Sequence, residues 1–176
     1  MSDNTTKVIG QAVDAMKDRA GKYLTFKLGV EEYGLEILKV QEIIKMMEIT
    51  KVPRTPDFVR GVINLRGKVI PVVDLRLKFG MERRETTDKT CVIVVQVSHA
   101  GGALTMGTIV DEVSEVLDIH AGQIEPAPEF GTSVDTDFIL GMGKVGKKVI
   151  MLLGIDKVLS SGDLVAVETV AKVAKE

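Results

Sequence analysis

The sequence predicts a mainly β protein built from two similar small units. Strand-like runs recur along the chain, among them Tyr23 to Leu28, Val69 to Leu75, Cys91 to Val97 and Val149 to Leu153. They are rich in Val, Ile and Leu, and they either alternate or stay apolar, as half-buried and buried strands do. Turn residues separate them at short intervals, the pattern of β-sandwiches and barrels. The chain also repeats itself. A shift of 73 places Gly34 on Gly107, Val40 on Val113, Glu42 on Glu115, Ile43 on Val116 and Pro53 on Pro126. A shift of 80 then places Asp57 on Asp137, Phe58 on Phe138, Gly61 on Gly141, Val69 on Val149 and Ile70 on Ile150. The change of shift is an insertion near 127–136.

The elements follow in order. Residues 1–20 are expected to be flexible or to form a short helix, because Val8, Ile9, Ala12, Val13 and Met16 fall at helical spacing. Tyr23 to Leu28 and Tyr33 to Ile37 read as a hairpin around Gly29. Ile37, Val40 and Ile44 then fall at helical intervals, which predicts a short helical turn. Ile49 to Val52 returns to strand character. Thr55 to Gly61 reads as one capped helical turn, with Thr55 as N-cap, Pro56 at the first position and Gly61 at the end.

The next run, Gly61 to Leu75, organises the rest. Val62 and Ile63 lead into a polar turn, Arg66-Gly67-Lys68, with Gly67 where a positive φ is needed. Val69 to Leu75 returns as a buried strand. Pro71 cannot donate to a ladder, so it marks an edge or a bulge. Asn64 and Arg66 are held out at the tip.

Glu82 to Lys89 is charged and reads as an exposed linker. Cys91 to Val97 and Ala103 to Val110 are strands joined at His99-Ala100-Gly101-Gly102. Val113, Val116 and Leu117 continue with helical or bent-strand spacing. Residues 126–137 form a loop, Val149 to Leu153 a buried strand, and 161–176 a C-terminal helix or tail carrying Val167, Val170, Ala171 and Ala174.

Composition narrows the function. Apolar residues make up 45% of the chain and aromatic residues 4%, so an aliphatic core with Met as filler is expected. A net charge of −2 without a basic stripe argues against nucleic acid as a partner. The single Cys91, read as a buried small hydrophobe, excludes an internal disulfide and fits a reducing cytoplasm. No apolar run reaches the ~20 residues of a membrane span, and the N-terminus lacks a signal-peptide pattern. His99 and His120 border glycine turns, read as exposed, and lie at no ligand spacing. Cys91 has no basic neighbour to activate it. Gly101-Gly102 and Gly141-Met142-Gly143 lack the flanking residues of a phosphate loop. No catalytic residue, metal or cofactor is therefore assigned. Two classes remain: a protein-binding adaptor, and a small-ligand sensor or enzyme with its site in the seam between the units.

Three blocks favour the first. Asn64-Leu65-Arg66-Gly67 with Ile70-Pro71-Val72-Val73-Asp74-Leu75 resembles the signature hairpin of the CheW family of chemotaxis coupling proteins. Glu31 to Ile43 matches a second family block upstream, and Gln123 to Phe130 a third downstream. The resemblance covers roughly Lys22 to Ser160. It implies two SH3-like five-stranded β-barrels packed side by side, interleaved as subdomains of roughly 30–80 and 90–155 within a domain of 22–160. It implies a non-catalytic cytoplasmic adaptor that couples the cytoplasmic tips of methyl-accepting chemotaxis receptors to the regulatory domain of the histidine kinase CheA, without membrane insertion. Carried onto matching positions, it implies a protein-binding set of Ile37, Val40, Glu42, Ile43, Gly61, Asn64 and Arg66. Within that set Arg66 is expected to pair with Glu42, Val40 to be partly exposed, and Ile37 to be core.

Overall fold

The structure is a computed structural model that describes residues 20–99, 102–127 and 138–175. Its strands are β1 (Gly21–Leu28), β2 (Glu31–Glu36), β3 (Val40–Lys45), β4 (Val59–Leu65), β5 (Lys68–Asp74), β6 (Cys91–His99), β7 (Gly102–Val110), β8 (Glu112–Ile119), β9 (Ile124–Glu125), β10 (Ile139–Val145) and β11 (Lys148–Leu153). Three α-helices accompany them among the described residues: α1 (Leu75–Lys78), α2 (Ile155–Val158) and α3 (Ser161–Lys175). The strands form two sheets, ordered β3-β6-β7-β5-β4 and β8-β1-β2-β11-β10-β9. This is the expected class: mainly β, two small sheets side by side, short helical turns and a C-terminal helix.

The repeat is visible in the pairing. Replacing β3, β6, β7, β5 and β4 by β8, β1, β2, β11 and β10 turns one sheet order into the other. Each sheet holds one parallel pair, in which Val72 faces Gly107 and Leu152 faces Gly34. These are repeat-equivalent positions. The ladder slips next to Gly61 in β4 and next to Gly141 in β10. Helices α1 and α2 also begin at equivalent positions, Leu75 and Ile155. Each sheet, however, draws on both sequence repeats. Residues 40–110 supply one sheet; 21–36 and 112–153 supply the other. The hairpin that opens each repeat completes the sheet of the other repeat.

The shared core is mostly aliphatic, but its seam is not. Phe26, Tyr33, Phe79 and Phe138 stack in series, with centroid separations of 5.8, 5.7 and 5.3 Å. Stacked rings this close add to the burial they provide. Composition alone pointed to aliphatic side chains there. Burial of the Tyr33 hydroxyl, with Glu31 nearby, pushes its pKa up.

Several local expectations need correction. The helical turn at Ile37 ends at Lys39, and Val40 onward is strand, because pairing with β6 satisfies its backbone. Thr55 to Gly61 is not helical: Val59 to Gly61 joins β4, and only a turn closed by Val59 N to Pro56 O remains. Ile49 to Val52 contributes only a single bridge, Thr50 with Val62. Pro71 lies in an interior strand, opposite Val62, just before the parallel pairing with β7 begins at Val72. Val113 to Leu117 is strand. Val149 is half exposed, and Cys91 is only partly buried, its Sγ 3.3 Å from Lys89 O. The proposed helix over Lys7 to Asp18, the junction residues Ala100 and Gly101, and most of the 126–137 loop lie outside the described residues.

Candidate functional site

The β4–β5 hairpin closes through a two-residue turn. Arg66 has φ 52° and Gly67 φ 84°, and Leu65 pairs with Lys68 on either side. Two successive positive φ values make a type I′ turn, whose twist suits a hairpin. Asn64 Oδ1 accepts from Gly67 N at 3.0 Å and locks the tip. Arg66 reaches across to β3, the edge strand of the same sheet. Its Nη1 and Nη2 donate to Glu42 Oε2 and Oε1 at 2.7 and 2.6 Å. This planar fork matches the carboxylate. Hydrogen bonding from Arg66 holds the Glu42 carboxyl below its usual range, and Glu42 pushes the guanidinium further up. Both are charged at neutral pH. The expected pair therefore forms, with Arg66 largely exposed.

The other expected residues divide. Along β3, Val40, Glu42 and Ile44 are half-buried while Gln41, Ile43 and Lys45 are exposed, the alternation of an edge strand with one covered face. Val40 is partly exposed and packs on the main core. Ile43 is 44% exposed. Ile37, expected as core, is only partly buried, because the turn carrying it crosses from one sheet to the other. Asn64 is exposed at the tip. Gly61 cannot touch a partner with a side chain. It is buried, with φ 140°, and a Cβ there would stand 2.1 Å from Thr50 O. Its place is to let the 49–52 segment lie against β4.

Two surface features border the hairpin. One is a polar cleft of about 800 Å³ lined by Glu42, Arg66, Lys68, Gln96 and Thr105, with Ala171 of α3 at its border. The other is an apolar groove of about 370 Å³ between Val52, Pro53, Val62, Ile63 and Val69, with Asn64 on its rim. It continues past Val52 and Pro53 into a further 330 Å³ bordered by Pro56, Ala166 and Val170. Among the described residues its only charged lining residues are Lys51 and Arg54. The arrangement offers an apolar trough with cations along it and, across Val69, a polar cleft that holds the forked ion pair. That suits a protein segment rather than a reaction. Sequence reasoning missed Lys68, Gln96, Thr105 and the trough wall from α3. The repeat held one unused signal: Gly146 stands where Arg66 does, which marks a position that favours glycine.

The histidines carry no chemistry here. His99 was expected in an exposed loop, but β6 extends to it, and its Nε2 lies 3.4 Å from Glu168 Oε2 on α3. His120 is exposed. Among the described residues no group of three or more His, Cys, Asp or Glu is placed to hold a metal. No described helix is long and apolar enough to cross a membrane.

Comparison with known proteins decides the family. The model of the CheW-like domain matches residues 22–163. The chain belongs to the CheW-like family. Chemotaxis protein CheW of Klebsiella aerogenes is 44% identical over 151 residues, covering 86% of this chain and 89% of that protein. The CheW protein of Helicobacter pylori is 34% identical over 138 residues, 78% of this chain and 81% of that one. A crystal structure of scaffolding protein TtCheW from Thermoanaerobacter tengcongensis superposes with a TM-score of 0.71 at 39% identity, covering 82% of this chain and 95% of that one. Within this CheW-like domain, the Glu42–Arg66 fork and the trough beside it are the candidate protein-binding site.

Proposed function

We propose that this chain is a non-catalytic chemotaxis adaptor in the cytoplasm, coupling the cytoplasmic tips of chemoreceptors to the regulatory domain of the histidine kinase CheA. Membership of the CheW-like family supports the adaptor role. The observation that carries the receptor half is one hairpin that bears the exposed Arg66–Glu42 fork and also walls an apolar trough with Asn64 and Val69. A helical tip with apolar residues on one face fits such a trough, and the fork offers charged groups for register. The alternative, a small-ligand site in the seam, meets a physical obstacle: the four-ring stack occupies part of the described seam.

The test is a pair of titrations on the full chain, one with a receptor cytoplasmic fragment and one with the kinase regulatory domain. Saturable binding to both supports coupling. Failure to bind either removes the adaptor reading.

A further inference from the structure

Residues 81–87 run without regular structure between α1 and β6, and the proposed adaptor site leaves their charges unused. Arg83, Arg84, Glu85 and Thr86 line a surface depression of about 430 Å³ together with Arg60 from β4. Arg60 is mostly buried, with Nη1 3.1 Å from Asp74 Oδ2. Arg84 Nη1 lies 3.1 Å from Asp111 Oδ2, and Arg76 Nη1 reaches the same oxygen at 2.6 Å. One carboxylate thus answers two guanidiniums. Arg83 and Glu85 are exposed and form no ion pair among the described residues. The two adjacent threonines differ. Thr87 Oγ1 is engaged, accepting from Lys89 N at 3.2 Å and lying 3.5 Å from Thr90 Oγ1. The Thr86 side chain is exposed and makes no hydrogen bond among the described residues.

We propose that Thr86 is a phosphorylation site, and that the arginine-walled depression holds its phosphoryl group. Arg83-Arg84-Glu85-Thr86 places guanidiniums three and two residues before a free hydroxyl. Arginine-directed serine/threonine kinases read that arrangement with carboxylates in an extended peptide groove. The irregular, exposed segment can enter such a groove. In the transfer, Thr86 Oγ1 bonds to the γ-phosphorus of ATP and the bond from that phosphorus to the β,γ-bridging oxygen breaks. ADP leaves, and the hydroxyl proton passes to the kinase's catalytic carboxylate. The product carries about −1.5 to −2 charge at pH 7. It meets Arg83, unpaired among the described residues, Arg84, which shares Asp111 with Arg76, and Arg60, which is paired with Asp74, with Glu85 as the carboxylate in the wall. Charge-assisted bonds to these guanidiniums then draw the segment onto β4.

The test treats the full chain with ATP, magnesium and the catalytic subunit of a cyclic-AMP-dependent protein kinase, followed by intact mass and peptide mapping. One phosphoryl group is expected, on Thr86, with none on the Thr86→Val protein. Arg83→Ala is expected to slow the reaction on the order of tenfold by removing a charge-assisted contact. A phosphorus NMR titration reads the depression itself. The phosphothreonine should titrate below the same phosphate in a free peptide of residues 81–90, and Arg84→Ala should move it back toward the peptide. No incorporation, or incorporation at another residue, overturns the site. A titration equal to that of the peptide overturns the role of the depression.

Discussion

Arg66 occupies a backbone conformation that the second repeat gives to glycine. Gly146 has φ 62° at the equivalent turn, against 52° for Arg66. A side chain at such an angle crowds its own backbone, so glycine fits there at less cost. The hairpin turn does not require arginine; the fork to Glu42 does. An outlier of this kind points to function rather than to packing. Arg66→Gly is therefore expected to melt no lower than the parent, within about 2 °C, since relief of strain offsets the lost fork and the freer unfolded chain. A clear drop in melting temperature would make Arg66 structural. Gly61 is the opposite case. Its φ of 140° and the Thr50 carbonyl 2.1 Å from any Cβ leave no room. Gly61→Ala is expected to cost about 2–4 kcal/mol from backbone strain and overpacking. Gly141→Ala should cost less, because its nearest obstacle is the Ile124 side chain at 2.7 Å, which can shift, although Glu125 O lies close behind at 2.9 Å. Denaturant melts of the two variants check the order.

Helix α3 is fastened by charge as well as by Leu164, Val167 and Val170. Asp163 N donates to Ser160 Oγ at 3.1 Å, and Asp163 Oδ2 accepts from Ser160 N at 3.1 Å, a reciprocal cap. Lys78 Nζ on α1 lies 2.5 Å from the same Oδ2. Burial opposes ionisation of Asp163, but the bonds from Lys78 and Ser160 outweigh it and hold the carboxyl below its ordinary value of 3.8. A carboxylate depressed in the folded state stabilises that state above its unfolded pKa, and the contribution fades as pH falls through the folded one. The protection of α3 amides relative to their intrinsic exchange is thus expected to fall below about pH 4, and Asp163→Asn should show the faster exchange already at pH 7. Exchange in Asp163→Asn equal to the parent's at pH 7 would contradict the fastening. At this scale the sequence was uneven. The hairpin and the C-terminal helix could be read from turn chemistry and apolar spacing. The strand at Val40 could not, because Ile37, Val40 and Ile44 fit a helical period, and only pairing with β6 decides between the two.

At the scale of the whole molecule the repeat was legible from spacing, while the interleaving of its units was expected only from the family resemblance. Gly34 with Gly107 and Gly61 with Gly141 predicted two similar units, and the sheets contain them at equivalent places. Nothing in the spacing said that each unit would complete the other's sheet, since exchange and self-closure use the same strands. The aromatic stack was equally hidden: its four rings come from distant stretches, and composition counts them without placing them. The exchange predicts that residues 1–80 and 81–176, made separately, are each unfolded by circular dichroism and NMR, and that mixing restores the native spectrum. Folding of either piece alone would contradict it. The same arrangement ties the two sheets together through strands drawn from both repeats.

The most direct measurement titrates a receptor cytoplasmic fragment against the parent chain and against Arg66→Gly, with the regulatory domain of the kinase as a parallel ligand. The account predicts that Arg66→Gly binds the receptor fragment on the order of tenfold more weakly, as loss of a central anchor does. It predicts binding to the kinase domain at the parent's strength and an unchanged melt. Equal receptor affinity for the two proteins would contradict the assignment of the fork as the receptor contact.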